Sequence, residues 1–280
     1  MNQWMDGYVQ ANGIRIHYYR TGGDKPQVIF NHGAFDDGLC WTRVVKELED
    51  DYDVIMFDAR GHGLSDIGEG DYESETRVKD LSEAITVMGL DKPVVGGHSL
   101  GADVSMQLAA LYPDQTRGIF LEDPPIVLPG EPMFGGDFDM EGDKVIKMMT
   151  RIMTLIKIMP IFLGKMLAKK MMPVSPEEEI IPWIMAKKRV NKDFFQSMSE
   201  MGAPNPDPFE LVSKITVPVL LFRGDRDSGA IVSEEVAGKM SKVIPGLEVV
   251  HLAGANHDIR RAKFDGYISS LKKFLKIVYS

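Results

Sequence analysis

Ser99 stands in Gly97-His98-Ser99-Leu100-Gly101, a match to G-x-S-x-G. A serine so flanked forms a nucleophile elbow when it joins a strand to a helix, because the sharp turn leaves room only for glycine on either side. The setting is suitable: the apolar run Pro93-Val94-Val95-Gly96 precedes it, and a helix-like run over residues 102–112 follows. Such a turn lifts the hydroxyl above the sheet edge. It also points the first unpaired N–H groups of the helix at whatever the serine attacks.

A serine hydroxyl is a weak nucleophile at neutral pH and needs a base, itself oriented by a carboxylate. His257, in Gly254-Ala255-Asn256-His257, is the base; of the six histidines it alone follows the last strand-like run. Two aspartates compete to orient it. Asp227 closes Arg223-Gly224-Asp225-Arg226-Asp227 after an apolar run and is the first choice. Asp123, at the rigid exit Asp123-Pro124-Pro125, is the alternative, and Asp225 reads as structural. A tetrahedral intermediate carries a negative oxygen that two fixed N–H donors stabilise. Leu100 supplies one. Ala34, in His32-Gly33-Ala34-Phe35, supplies the other, with His32 bracing the loop.

The elements that must position these residues alternate. Apolar runs over residues 14–19, 28–30, 54–57, 94–95 and 118–121 read as strands. Residues 80–88 have helical spacing and close at Gly89. The pattern resumes with a strand at 217–222, a helix at 234–243, a strand at 247–252 and a helix at 264–278. Alternation of this kind predicts an α/β fold with a mostly parallel sheet and right-handed crossovers. Between Ile126 and Phe209 no strand signal appears, and helical runs are separated by Pro160, Pro173, Pro176, Pro182 and Pro204. The expected organisation is a core of residues 1–125 and 210–280 with a helical cap of residues 126–209.

The chain resembles a capped member of the α/β-hydrolase superfamily over nearly its whole length. The resemblance rests on His32-Gly33, Asp58-Ala59-Arg60-Gly61-His62-Gly63-Leu64-Ser65-Asp66, the elbow, Gly224 to Asp227, and Asn256-His257. It implies a central sheet with helices on both faces, a cap inserted after the sixth strand, and the chain order serine, acid, histidine. The usual place for the acid is the G-x-x-D at Asp227; some members place it where Asp123 stands. His62 is then a scaffold residue. Within the superfamily the chain is similar to esterases and lactonases, acyl-homoserine lactonases included. That implies a serine carboxylic-ester hydrolase acting on lipophilic esters or lactones through an acyl-enzyme. The same triad serves C–C bond hydrolases and cofactor-free perhydrolases, and some relatives are ligand receptors with vestigial hydrolysis. Haloalkane dehalogenases and epoxide hydrolases of this fold need a carboxylate where Ser99 stands. A further departure is Asn256, where many members carry glycine; asparagine tolerates the left-handed backbone.

The chain has 280 residues and a net charge of −9, which argues against nucleic acid as the main partner. The charge is uneven: Lys144 to Lys192 holds 11 Lys and Arg against 3 acids, a local +8. Those cations read as the cap's solvated face, as a hold on an anionic membrane surface, or as steering for anionic substrates. Twelve of the 18 methionines fall in the cap. Met148, Met149, Met153, Met159, Met166, Met171 and Met172, with Ile158 and Phe162 among their apolar neighbours, read as an adaptable acyl-binding wall or as plain packing. Phe35, Trp183 and Met153 are the expected pocket residues; Trp41, like Trp183, reads as a pocket wall or as buried aromatic packing, the commoner fate. No metal constellation, nucleotide loop or spanning segment is evident, so no cofactor, no metal and no membrane span are expected. The partner is a small-molecule ester or lactone. A single cysteine, Cys40, and a first stretch without an apolar run fit a cytoplasmic protein. Oligomeric state is not legible.

Overall fold

The computed structural model describes residues 4–68, 72–135, 142–171, 175–194, 197 and 208–280, with the backbone alone for 142–146. Eight strands form one sheet: β1 (Met5–Ala11), β2 (Ile14–Arg20), β3 (Gln27–Asn31), β4 (Asp53–Phe57), β5 (Val94–His98), β6 (Gly118–Glu122), β7 (Val219–Arg223) and β8 (Glu248–His251). Their spatial order is β1-β2-β4-β3-β5-β6-β7-β8. β2 pairs antiparallel with β1 and β4, and every other pairing is parallel. All residues of β4, β5 and β6 are buried, as expected of parallel strands covered on both faces.

Helices cover both faces. Val78, Leu81 and Ala84 of α2 (Ser74–Val87) pack on one, with Ala102, Leu108 and Ala109 of α3 (Leu100–Leu111). Val44 and Val45 of α1 (Thr42–Lys46) lie on the other, with Tyr267, Leu271 and Phe274 of the last helix, Phe264–Val278. The turns after β3, β5, β6, β7 and β8 all leave the carboxyl edge of the sheet, where open α/β sheets bind ligands.

Between β6 and β7 the described elements are all helices: α4 (Gly142–Ile158), α5 (Ile161–Met171), α6 (Glu177–Arg189) and a short helix at Pro208–Val212. This is the insertion after the sixth strand that the sequence predicts. Met172, Pro173 and Pro204 lie outside the described residues. Three differences have physical reasons. β1 escaped the sequence reading because only Val9 and Ala11 of its seven residues are buried. α2 begins at Ser74, before its apolar stripe starts. β7 begins at Val219, because Pro218 has no N–H to give the ladder.

Candidate active site

Ser99 sits at φ 53°, ψ −117°, between the last residue of β5 and the first of α3. This is a strained backbone for a residue with a side chain, and its surroundings enforce it. A Cβ on Gly97 would stand 2.5 Å from the carbonyl oxygen of Asn31, and one on Gly101 only 2.3 Å from the same atom. The two glycines let β3 and the elbow touch backbone to backbone. The Ser99 N–H donates to the Glu122 carbonyl at 2.9 Å, tying the elbow to β6.

His257 lies in the loop after β8. Its Nδ1 is 2.7 Å from Oδ2 of Asp123, a fully buried carboxylate at the end of β6. Asp123 is held hard: its two oxygens also accept from the N–H groups of Ile231 and Val232 at 2.8 and 2.9 Å. A carboxylate partner makes Nδ1 the donor and leaves Nε2 with the lone pair. Burial pulls the His257 pKa down, but the hydrogen bond and charge of Asp123, joined by the charges of Asp258 and Glu122, push it up, and the net shift is upward.

The preference for Asp227 is corrected by position. Asp227 is exposed on a 3-10 turn, Arg226–Ser228, and His257 takes its carboxylate from Asp123. The turn is built around Arg226, whose guanidinium donates to the carbonyls of Pro132, Met133 and Ile231. That clamp aims Asp227 outward and presents Phe134 edge-on to the His257 ring, 5.2 Å between centroids. Asp225 accepts from the Gly254 N–H at 2.6 Å and so shapes the His257 loop. Asn256 does not use a left-handed backbone; Gly254 does, at φ 75°.

Ser99 and His257 line one cavity of about 130 Å³ with Gly33, Ala34, Phe35, His98, Phe134, Met149, Met153 and Trp183. Leu100 heads α3, where a backbone N–H has no helical partner behind it. Ala34 is set by His32 and His62. The His32 ring lies against the Gly33 carbonyl and accepts from the Ala59 N–H, and His62 Nε2 lies 2.7 Å from the Ala34 carbonyl oxygen. Of the methionine-rich wall, Met149 and Met153 reach the cavity, whereas Ile158, Phe162, Met166 and Met171 face outward. Trp41 is not a pocket wall: it is fully buried in the core beside Phe30, under the Arg260 guanidinium.

One wall of the cavity is ionic, and the sequence reading did not anticipate it. Asp36, Lys187, Asp258 and Arg261 line it. Lys187 Nζ is 2.5 Å from Asp36 Oδ1 and sits over the Trp183 ring. Asp36 Oδ2 also meets Arg261 at 3.0 Å and Arg260 at 3.5 Å. Burial opposes ionisation of Asp36, but the three cations hold its pKa well below the usual carboxylate range. Burial lowers the Lys187 pKa despite Asp36. A signal existed in the sequence: Ile180, Trp183, Ile184 and Lys187 recur at helical spacing on the buried face of α6. His98 was also missed. Its Nε2 lies 3.0 Å from the His257 carbonyl oxygen, and its ring lies 4.5 Å from the His257 ring.

Comparison with known proteins agrees with this architecture. Residues 26–153 match the family model described as alpha/beta hydrolase fold. An N-formylmaleamate deformylase of Pseudomonas putida is 35% identical over 125 residues, 44% of this chain and 47% of that protein. The matched stretch thus spans about half of that relative's length. A 2-(acetamidomethylene)succinate hydrolase of Mesorhizobium japonicum is 24% identical over 259 residues, 91% of this chain and 90% of that one. Among solved structures, an N-formylmaleamic acid deformylase from Pseudomonas putida S16 superposes with a TM-score of 0.78 at 20% identity, covering 95% of this chain and 100% of that one. The chain has the α/β-hydrolase fold, with a helical insertion after β6. Among the described residues no helix is long and apolar enough to cross a membrane.

Proposed function

We propose that this protein is a serine hydrolase that cleaves a carboxylic ester or lactone through an acyl-enzyme. The observation that carries the reading is the strained Ser99 sharing a cavity with a His257 whose Nδ1 is held by Asp123. In this mechanism Nε2 of His257 takes the Ser99 proton as Oγ attacks the substrate carbonyl. The N–H groups of Leu100 and Ala34 hold the oxyanion. The imidazolium, stabilised by Asp123, then gives its proton to the leaving alcohol. Water, deprotonated by the same nitrogen, releases the acid and regenerates Ser99. With a lactone the freed alcohol stays tethered to the acyl group throughout, and deacylation releases a single hydroxy acid. The apolar wall of Phe35, Phe134, Met149, Met153 and Trp183 suits a lipophilic acyl chain.

A second reading is hydrolysis of a small acyl amide. It is supported by the match along nine tenths of the chain to a protein named as a 2-(acetamidomethylene)succinate hydrolase. The ionic wall of Asp36, Lys187, Asp258 and Arg261 also suits a polar substrate. The same triad performs both reactions and differs only in the leaving group it protonates. The test is a panel of p-nitrophenyl esters of increasing chain length, homoserine lactones and N-acyl enamides, with Ser99→Ala as control. Ester or lactone turnover lost in Ser99→Ala supports the first reading; turnover of the amides alone supports the second. Hydrolysis of any of them by Ser99→Ala rejects both.

A further inference from the structure

We propose that the outer face of the cap is a docking surface for an anionic lipid membrane, on which helices α4 and α5 lie without crossing it. This inference does not depend on the hydrolytic reading. Ile158, Phe162 and Met166 are 74%, 64% and 68% exposed, and Leu155, Ile161, Leu163 and Met171 beside them are also exposed. Contiguous apolar surface of this kind is rare on a soluble monomer and marks an interaction site. Phe162 and Met166, four residues apart on α5, share one face of that helix, and Ile158 ends α4, with two residues between it and α5. The opposite faces are fully engaged: Met153 and Ile156 of α4 and Ala168 of α5 are buried with Ile180, Trp183 and Ile184 of α6. The outward residues are therefore not displaced core.

Charge selects the occupant. From Lys144 to Met171 the chain carries seven cations and no acid, against a net charge of −9 for the whole. Lys157 serves the fold: it donates to the carbonyls of Lys188 and Val190, while Lys188 returns the tie to those of Lys157 and Met159. Arg151, Lys169 and Lys170 are exposed and Lys165 half-exposed, around the apolar surface. Lys169 meets an exposed acid, Glu177, at 3.5 Å. An apolar surface within a basic rim matches an interface of acyl chains beneath anionic headgroups. A second copy meeting this face about a two-fold axis would set these cations against their own images.

The test uses the full chain in co-sedimentation with vesicles of phosphatidylcholine alone or with one-third phosphatidylglycerol. Binding is expected to the anionic vesicles, to fall at high salt, and to be at least tenfold weaker on phosphatidylcholine. Phe162→Ser with Ile158→Ser should lower partitioning at least about tenfold, the effect of removing two inserted apolar side chains. Lys169→Glu with Lys170→Glu should lower it by about fivefold per charge or more. Both variants alter exposed residues, so their thermal midpoints and soluble-ester turnover should equal the parent's. Absence of parent binding to anionic vesicles, equal binding to both vesicle types, or a dimer in light scattering that the Phe162→Ser, Ile158→Ser pair dissolves would overturn the proposal.

Discussion

Oδ2 of Asp123 lies 2.7 Å from Nδ1 of His257, across 134 positions of sequence. The contact joins the end of β6 to the loop after β8. It fixes which face of the imidazole is left for Ser99. Asp123→Asn should therefore lower kcat by about 10³- to 10⁴-fold, because an amide stabilises neither the correct tautomer nor the imidazolium. Asp227→Asn, on an exposed turn, should change kcat by no more than about twofold. Steady-state kinetics of the two variants on one substrate separate them; equal losses would contradict the assignment.

The same contact sets a pH dependence. Burial acts to lower the His257 pKa, but the hydrogen bond and charge of Asp123, with the charges of Asp258 and Glu122, raise it, and the net shift is upward from 6.5. The base works only when neutral, so raising its pKa moves the rising limb of the rate profile to higher pH. The parent's limb in kcat/KM should lie above 6.5, and in Asp123→Asn it should move down. A limb that stays in place in the variant would show that another group titrates.

The elbow glycines should not tolerate a methyl group. A Cβ on Gly101 would stand 2.3 Å from the carbonyl oxygen of Asn31 and 2.6 Å from that of His32, both backbone atoms that cannot rotate away. Gly101→Ala should cost about 2 kcal/mol or more in denaturant unfolding. Gly238, in the helix Glu234–Val243, has nothing within 4 Å of its Cβ position. Gly238→Ala should leave stability unchanged or raise it by up to about 1 kcal/mol.

The ionic wall predicts an asymmetry. Asp36 is the shared anion of Lys187, Arg260 and Arg261. Asp36→Asn takes the counter-ion of buried Lys187 and one carboxylate each from Arg260 and Arg261, which keep Glu122 and Asp258, whereas Lys187→Met leaves Asp36 with both arginines. Loss of one partner of a buried pair costs about 3–5 kcal/mol, so Asp36→Asn should lie at or above that range and Lys187→Met below it. Urea titrations of both variants check the order.

The sequence reading reached the fold, and the two residues it names as nucleophile and base line one cavity, for identifiable reasons. Ser99 is legible because its strained turn demands Gly97 and Gly101 at fixed offsets. His257 is legible because the strand–helix alternation resumes after the cap and counts it into the last loop. The acid was not decided, because Asp123 and Asp227 both follow strands; what separates them is the Arg226 clamp onto residues 132–133, a contact across 93 positions or more that no local pattern encodes. Asp36, Arg260 and Arg261 went unremarked for the same reason: they come together only through contacts distant in sequence. Met166 and Phe162 were read as substrate wall or as packing, and are exposed, because helical spacing shows that a face is apolar but not which way it turns.

The central claim is that Ser99 is a nucleophile activated by His257. Reaction with a fluorophosphonate, mapped by tandem mass spectrometry, reads it directly. The account predicts a single adduct on Ser99 of the parent, forming at least about a hundredfold more slowly in His257→Ala. An adduct on another residue, or one forming on Ser99 at the same rate without His257, would contradict it.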